Sequence, residues 1–258
     1  MQEKRNLCTG KGTLILIWVI LLVLSLLVLS ILASFFAGYP QGQTISSLSW
    51  AGYTVEKDSF PEFEVIGISA AWVVPRLDIS VINGSSSAWI GIGGELDKTL
   101  IQVGTEHDVT NDQESYSAWY ELLPSFAVHL TTINVAPGDI MSASINLVNP
   151  NTNNWNIQIS DITNGQTFNQ NFLYNSTRSS GEWIVERPTV NNKITTLSNF
   201  GTVTFANCRI NINDVTASIT KYSFERIRMT NNVNTPLASV STLTNGGSSF
   251  NVNYVAGK

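Results

Sequence analysis

The chain has 258 residues, a formal net charge of −5 and only 13% charged residues. This acidic balance argues against a basic surface for nucleic acid, so no nucleic-acid partner is expected. With carboxyl pKa values near ~4, most of the negative charge is lost in acid, where few basic residues remain to repel one another. The composition therefore suits an acidic environment.

Residues 14–37 are uncharged and almost wholly apolar. As a helix with a rise of ~1.5 Å per residue they would span roughly 36 Å, more than the ~30 Å of a bilayer core. A cleaved signal peptide normally has a shorter apolar core and small residues at its cleavage site, whereas Phe35 and Phe36 stand there in this chain. We therefore predict a retained signal-anchor helix at 14–37.

The charges around this segment predict its orientation. Lys4, Arg5 and Lys11 precede it, and the next basic residue is Lys57. Basic residues favour the cytoplasmic side, so residues 1–13 are expected to be a cytoplasmic leader and the rest to lie outside the cell, attached to the membrane or released from it. A weaker alternative is a prepilin-type processing site at Lys11-Gly12, as in a filament subunit.

The remainder is predicted to be all-β. Residues 38–47 resemble a linker, and 48–258 form one domain without a long helical period. Turn signals such as Asn83-Gly84 and Asn164-Gly165 separate short segments rich in β-branched and aromatic residues, which indicates an antiparallel sandwich or barrel. The strand-like segments include residues 63–74, 88–92, 100–103, 115–122, 140–148, 155–162, 182–186, 203–212 and 248–255.

The sequence has no signal for a metal or a cofactor. His107 and His129 are the only histidines, and neither has a cysteine or a second histidine nearby, whereas zinc needs three or four ligands. No G-x-S-x-G nucleophile motif occurs. With the predicted topology, Cys8 and Cys208 lie on opposite sides of the membrane, so no disulfide is expected within the chain.

Two N-x-[ST] sequons fall in predicted loops of the external part, at Asn83 and Asn175. Both asparagines are possible glycosylation sites if the domain is exported. An unmodified asparagine turn is an equally good interpretation of each sequon.

Two strand-like segments carry candidate catalytic groups. Alternation along a strand places Leu100 and Gln102 on one face of the first segment. In the second segment Glu182, Ile184 and Glu186 share one face, and Trp183 and Val185 share the other. Acidic residues at these positions indicate either a cleft lined by carboxyl groups or an ordinary solvated strand face. The pattern alone slightly favours the solvated face.

Several short motifs along the chain resemble the glutamic peptidases, or eqolisins, in order and approximate spacing. The resemblance covers residues 48 to the carboxyl terminus. The motifs are WAGY (50–53), WVVP (72–75), SAWIGI (87–92), LIQVG (100–104), AWYELLP (118–124), PGD (137–139), GEWIVE (181–186) and VTFANC (203–208).

The resemblance implies a fold and a site. The fold would be a concanavalin-like antiparallel β-sandwich (jelly-roll type), with substrate across its concave sheet. Gln102 and Glu182 match the catalytic glutamine and glutamate of the family. The residues that match the family's substrate cleft are Trp50, Trp89, Trp119, Glu121 and Glu186.

The implied activity is acid endopeptidase cleavage of protein or peptide substrates. Ionised Glu182 would take a proton from water, so its pKa should lie near or below the working pH. Gly93 and Ser117 stand where the family commonly has aspartates, which leaves room for an inactive relative. The alternative function is therefore a non-catalytic, lectin-like binding or surface-layer module. The oligomeric state, the cleavage specificity and the pH optimum do not follow from the sequence.

Overall fold

The computed structural model describes residues 42–56, 63–80 and 83–255. The predicted leader, the predicted anchor helix at 14–37 and the Lys11-Gly12 site lie outside these residues. Within the described part of the chain, no helix is both long and apolar enough to cross a membrane. The only helical element described there is a short 3₁₀ turn at Ile219–Lys221.

Nineteen strands are present in the described residues, and we number them β1 to β19 in chain order. Their bounds are β1 Thr44–Ser47, β2 Trp50–Glu56, β3 Val65–Val73, β4 Gly84–Ile92, β5 Ile101–Thr110, β6 Gln113–Leu122, β7 Val128–His129, β8 Ile140–Asn149, β9 Asn154–Asp161, β10 Thr167–Leu173, β11 Ser180–Glu186, β12 Thr189–Val190, β13 Lys193–Ile194, β14 Thr196–Leu197, β15 Thr202–Ile212, β16 Val215–Ala217, β17 Phe224–Thr230, β18 Pro236–Val240 and β19 Phe250–Tyr254.

The long strands form two antiparallel layers. The first layer has the order β6-β5-β4-β11-β2-β17. The second has the order β10-β9-β8-β3-β15-β19. Strand β18 pairs with β17 of the first layer and with β19 of the second, so the hydrogen-bonded network continues from one layer to the other. The predicted all-β antiparallel sandwich is therefore confirmed.

The main hydrophobic core lies between the two layers and takes side chains from both. Trp183 of β11 donates a hydrogen bond from its indole nitrogen to the backbone oxygen of Ser69 on β3, at 3.0 Å. Trp72 of β3 donates likewise to Thr105 Oγ1 of β5, at 3.0 Å. A buried indole removes roughly 200 Å² from water, worth about 5 kcal/mol at 25 cal/mol per Å². These two rings therefore join the layers and also satisfy their own polar atoms.

His107 belongs to this core. It is fully buried, and its Nε2 lies 2.8 Å from Thr105 Oγ1. Burial lowers its pKa to about 3, so the ring stays neutral over most of the acidic range. Cys208 is also fully buried and free.

All nine strand-like segments named from the sequence correspond to strands. At the two expected turns, Asn83 has a φ of +55° and Gly165 has a φ of +78°. Such angles suit glycine, which has no Cβ to clash. The two sequon residues Asn83 and Asn175 are exposed, and their glycosylation remains a prediction.

The segment expected to be a linker, residues 38–47, enters the sheet at its end. Thr44–Ser47 forms β1 and pairs in parallel with β17. Arg226 donates two hydrogen bonds to Thr44 Oγ1, and Arg228 donates one to Ser46 Oγ. The sequence of this short, polar strand is hard to distinguish from that of a linker. The hydrogen bonds that hold it come from β17, which is far along the chain.

Candidate active site

Four residues stand directly opposite one another across four neighbouring strands of the first layer. They are Glu121 on β6, Gln102 on β5, Gly91 on β4 and Glu182 on β11. Directly paired residues project from the same face of a sheet. Neighbouring strands are ~4.8 Å apart, so the backbones at Gln102 and Glu182 are separated by roughly 10 Å. Register therefore places the two predicted catalytic residues on one face.

Gly91 leaves the space between these two residues open. A methyl group on Gly91 would lie 2.8 Å from Leu100 Cδ1, 2.9 Å from Trp89 Cζ3 and 3.4 Å from Gln102 Cβ. Contacts below 3.0 Å require neighbours to shift. A side chain at this position would therefore narrow the gap between Gln102 and Glu182, and glycine keeps it free.

Gln102 is held by Glu121. The Gln102 side chain is almost fully buried, and its Nε2 donates a hydrogen bond of 2.6 Å to Glu121 Oε2. Because a carboxylate only accepts hydrogen bonds, this contact fixes which end of the amide faces Glu121. Gln102 Oε1 is buried and has no hydrogen-bond partner among the described residues. One N–H and one oxygen of the amide therefore stay available for a ligand.

Glu182 has no exposed surface, and neither of its carboxyl oxygens has a hydrogen-bond partner of normal geometry among the described residues. Burial raises its pKa well above the usual value of 4.5, and the negative charges of Glu95, Glu56 and Asp97 raise it further, while the nearby Ser180 hydroxyl lowers it. The solvated-face alternative is therefore wrong. The direction of the pKa shift also differs from the expectation of an ionised Glu182, because burial penalises the charged form.

The strand alternation predicted for β11 is present in the structure. Ile184 packs in a second, smaller hydrophobic cluster on the face that carries Glu182. Trp183 and Val185 point into the main core between the layers. We call the face with the second cluster the site face. This small cluster consists of Trp89, Leu100, Trp119, Ile184 and Ile227.

The five residues predicted to bind substrate all lie on the site face. Four of them, together with Gln102, line a cavity of about 360 Å³. Trp89 is the exception, because it is fully buried beneath Trp50, with ring centroids 5.2 Å apart and an interplanar angle of 78°. The four that line the cavity are Trp50, Trp119, Glu121 and Glu186.

Glu186 is the other acidic residue predicted on β11. Its Oε2 accepts a hydrogen bond of 2.9 Å from Trp89 Nε1. Burial nevertheless raises the pKa of Glu186 to about 7, and the charges of Glu121 and Glu106 act in the same direction. This carboxyl group is therefore largely neutral in acid and can donate as well as accept hydrogen bonds.

Glu106 and His129 also line the cavity, and neither was predicted from the sequence to be a site residue. Their closest N–O distance is 4.0 Å, and His129 Nδ1 lies 3.0 Å from Ser117 Oγ. Burial and the neighbouring Asp108 raise the pKa of Glu106 to about 7. Glu106 is four residues after Gln102 on the same strand, so the alternation rule could have placed it on the site face.

A second, larger cavity of about 770 Å³ contains none of the predicted residues. Phe63, Leu147 and the ion pair of Arg178 with Glu64 are among the residues that line it. Arg178 also donates a hydrogen bond of 2.7 Å to Asn153 Oδ1. The guanidinium group of Arg178 is thus engaged within the protein. The smaller cavity, which Gln102 lines, is therefore the better candidate site.

Comparison with known proteins identifies the family. A model of the peptidase A4 family matches residues 48–254. The chain belongs to the peptidase A4 family. This match confirms the predicted glutamic peptidase family.

Among curated relatives of this peptidase A4 chain, Aspergillopepsin-2 of Aspergillus niger is 30% identical over 127 residues. The alignment spans 47% of this chain and only 44% of that relative, which is less than half of its length.

Solved structures support the fold. Scytalido-glutamic peptidase, crystallised with a peptide-based transition-state analog, has a TM-score of 0.68 and 20% identity, over 81% of this chain and 99% of that chain. The aspergilloglutamic peptidase from Aspergillus niger has a TM-score of 0.60 and 25% identity, over 67% of this chain and 99% of that chain. SCP-B, an eqolisin in complex with the tripeptide Ala-Ile-His, has a TM-score of 0.64 and 20% identity, over 81% of this chain and 99% of that chain.

The structure explains one of the two departures from the family pattern. Gly93 has a φ of +87°, and a Cβ there would lie 2.3 Å from the backbone oxygen of Thr99. An aspartate therefore cannot occupy this backbone without rebuilding the turn after β4. Ser117 carries no such constraint, since its hydroxyl simply contacts His129.

Proposed function

We propose that this chain is an endopeptidase that cleaves unfolded proteins in acid, with Gln102 and Glu182 as its catalytic pair. The observation that carries the proposal is their alignment across Gly91, which leaves a gap between an amide and a buried carboxyl group. The site face would be the concave sheet of a concanavalin-like sandwich, along which an extended peptide lies. The peptide complex of SCP-B and the transition-state analog complex of scytalido-glutamic peptidase support this choice of substrate.

The protonation state of Glu182 changes the mechanism expected from the sequence. Since its pKa is raised well above 4.5, Glu182 is protonated in acid. A neutral carboxyl group can give a proton from one oxygen and receive a proton at the other in the same step. Neither Glu182 oxygen has a hydrogen-bond partner of normal geometry among the described residues, which fits such a double role.

In the first step, the water oxygen forms a bond to the scissile carbonyl carbon. Glu182 gives its proton to the carbonyl oxygen and takes one proton from the water, so a neutral gem-diol forms and the carboxyl group is protonated again. Gln102 would accept a hydrogen bond from the water at Oε1 and donate its second N–H to the carbonyl oxygen as charge develops there. Preorganised donors of this kind stabilise the transition state by roughly 3–4 kcal/mol.

In the second step, Glu182 gives its proton to the amide nitrogen and takes one from a gem-diol hydroxyl. The C–N bond breaks, the carbonyl group re-forms as a carboxylic acid, and the amine leaves. Glu182 ends protonated, ready for another cycle. Because its carboxyl group has no exposed surface, substrate has to displace what covers it.

Replacing Gln102 with alanine is expected to lower kcat by about 10²–10³-fold with little change in KM, because one transition-state donor is lost. The assay is cleavage of an acid-denatured protein or a quenched peptide, with the unfolding temperature measured in parallel. Gln113→Ala is the matched control, since Gln113 is exposed at the far end of β6.

An unchanged kcat in the Gln102→Ala variant would contradict the role of Gln102. A folded wild-type domain that cleaves nothing between roughly pH 2 and 7, where carboxyl groups titrate, would instead favour the lectin-like binding module.

We also propose that residues 14–37 anchor the chain in the cell membrane with the peptidase domain outside. The support is the apolar length and the basic residues before it. Alkaline extraction of membranes is the test: the 1–258 chain should remain in the membrane fraction. Its release into the supernatant would contradict a retained anchor.

A further inference from the structure

A second acidic group lies beside the row that contains Glu182. Glu56 at the end of β2, Glu95 after β4 and Glu225 on β17 bring carboxylate oxygens within 4.8 Å of one another. All three residues are partly buried. They come from segments that are far apart in the sequence, and none was predicted to have a function.

Three carboxylates this close repel one another when ionised. This repulsion is stronger near a protein surface than in bulk water, because the surrounding medium screens the charges less. Among the described residues, no lysine or arginine forms an ion pair with Glu95 or Glu225. Glu95 and Glu225 therefore lack a compensating cation from the described lysine and arginine side chains.

Buried oxygen atoms without partners lie next to this cluster. Thr54 Oγ1 and Ser180 Oγ have no exposed surface and no hydrogen-bond partner among the described residues. Thr54 pairs directly with both Glu182 and Glu225, whereas Ser180 pairs with Glu56. Their hydroxyl groups therefore project from the same face, between the catalytic carboxyl and the acidic cluster.

We propose that Glu56, Glu95 and Glu225 bind a calcium ion. The donors are all oxygen atoms, which hard cations prefer, and no histidine or cysteine belongs to the cluster. Calcium binds oxygen at about 2.3–2.6 Å, so two ligands on opposite sides of the ion are about 4.6–5.2 Å apart. The oxygen atoms of the cluster lie within 4.8 Å of one another, which is inside the largest ligand–ligand separation that one calcium ion allows. Magnesium, at about 2.1 Å, needs a tighter set.

Binding would cross-link β2, the turn after β4 and β17. A ligand that binds only the folded state raises the unfolding temperature, and at about 100 times its Kd the expected rise is roughly 5–10 °C for a domain of this size. This effect does not depend on peptidase activity. A failure of the calcium proposal and a failure of the proposed function are therefore separable.

The test is thermal unfolding of the full 258-residue chain at pH 7 in mild detergent, with added calcium chloride, magnesium chloride or sodium chloride at equal ionic strength. We expect a calcium-specific rise and calorimetric binding of one ion per chain. The variant with both Glu95→Gln and Glu225→Gln should lose that rise, yet unfold at a higher temperature than wild type without calcium, since repulsion is relieved. The control Asp112→Asn alters an exposed turn and should respond as wild type does.

Three results would overturn the calcium site. The first is a calcium effect no larger than that of sodium chloride. The second is an unchanged calcium effect in the Glu95→Gln, Glu225→Gln double variant. The third is an equal effect of magnesium, which would exclude the selectivity for calcium.

Discussion

Replacing Glu182 with glutamine is expected to lower kcat for peptide hydrolysis by about 10²–10⁴-fold, the usual contribution of a proton-transferring group. Glutamine has nearly the same shape and can still form hydrogen bonds. It cannot, however, give a proton to the leaving amine while receiving another from the gem-diol. The measurement is kcat and KM on one peptide in acid, for wild type and variant.

The same substitution should leave the fold intact and make it more stable at neutral pH. Glu182 is fully buried and its pKa is raised, so the folded state loses stability as the pH rises above the unfolded carboxyl value near 4.5. Glutamine carries no charge and avoids this cost. An inactive variant that unfolds at a higher temperature than wild type at pH 7 would separate catalysis from structural damage.

Glu114→Gln is the matched control for Glu182→Gln. Glu114 lies on β6 and accepts a hydrogen bond of 2.9 Å from the Tyr116 hydroxyl, which glutamine can replace. This control should retain wild-type kcat. Wild-type turnover in Glu182→Gln would remove Glu182 from the mechanism.

The second large effect is on the pH dependence of the free energy of unfolding. Between about pH 4.5 and 7 the domain should lose stability as the pH rises. Glu106 and Glu186 have folded-state pKa values of about 7, and that of Glu182 is also raised. A carboxyl group with a raised pKa contributes fully below its unfolded value near 4.5. That contribution is lost as the pH rises through the folded value.

His107 acts in the opposite direction. Because its pKa is lowered to about 3, the unfolded chain binds a proton below about pH 6.5 that the folded chain does not bind. Glu106 and Glu186 against this one imidazole leave the folded state with about one more proton over this range, or about 1.4 kcal/mol per pH unit, and the raised pKa of Glu182 acts in the same direction. The unfolding temperature should fall on the order of 10 °C from pH 4.5 to 7.

Thermal unfolding across this range tests the assignment. Glu106→Gln and Glu186→Gln should each make the pH dependence shallower by about one proton, whereas Glu114→Gln should not change it. A stability that rises steadily from pH 4.5 to 7 in the wild type would show that these carboxyl groups are not buried as described.

The architecture could be predicted from the sequence because its signals are local. Strand alternation, Asn-Gly turns and the separation of Ile184 from Trp183 all follow from a period of two residues. The series of motifs then predicted the family, and the match over residues 48–254 confirms it. The anchor at 14–37 and the catalytic roles of Gln102 and Glu182 remain predictions.

The electrostatics of the site could not be predicted in the same way. The alignment of Gln102, Gly91 and Glu182 depends on the register of strands that are distant in the sequence. The approach of Glu95 and Glu56 to Glu182 depends on it as well. Without that register, the expectation of an ionised Glu182 rested on ordinary carboxyl chemistry. Burial among other carboxylates raises the pKa of Glu182 and so favours its neutral form.

The most direct test of the account is the pH dependence of kcat/KM for the wild-type enzyme on a single peptide. If neutral Glu182 carries the protons, kcat/KM should be highest in acid and fall with one ionisation above pH 4.5, the usual carboxyl value, while the domain is still folded. A profile that instead rises through this ionisation would require the charged carboxylate, and would contradict the proposed mechanism.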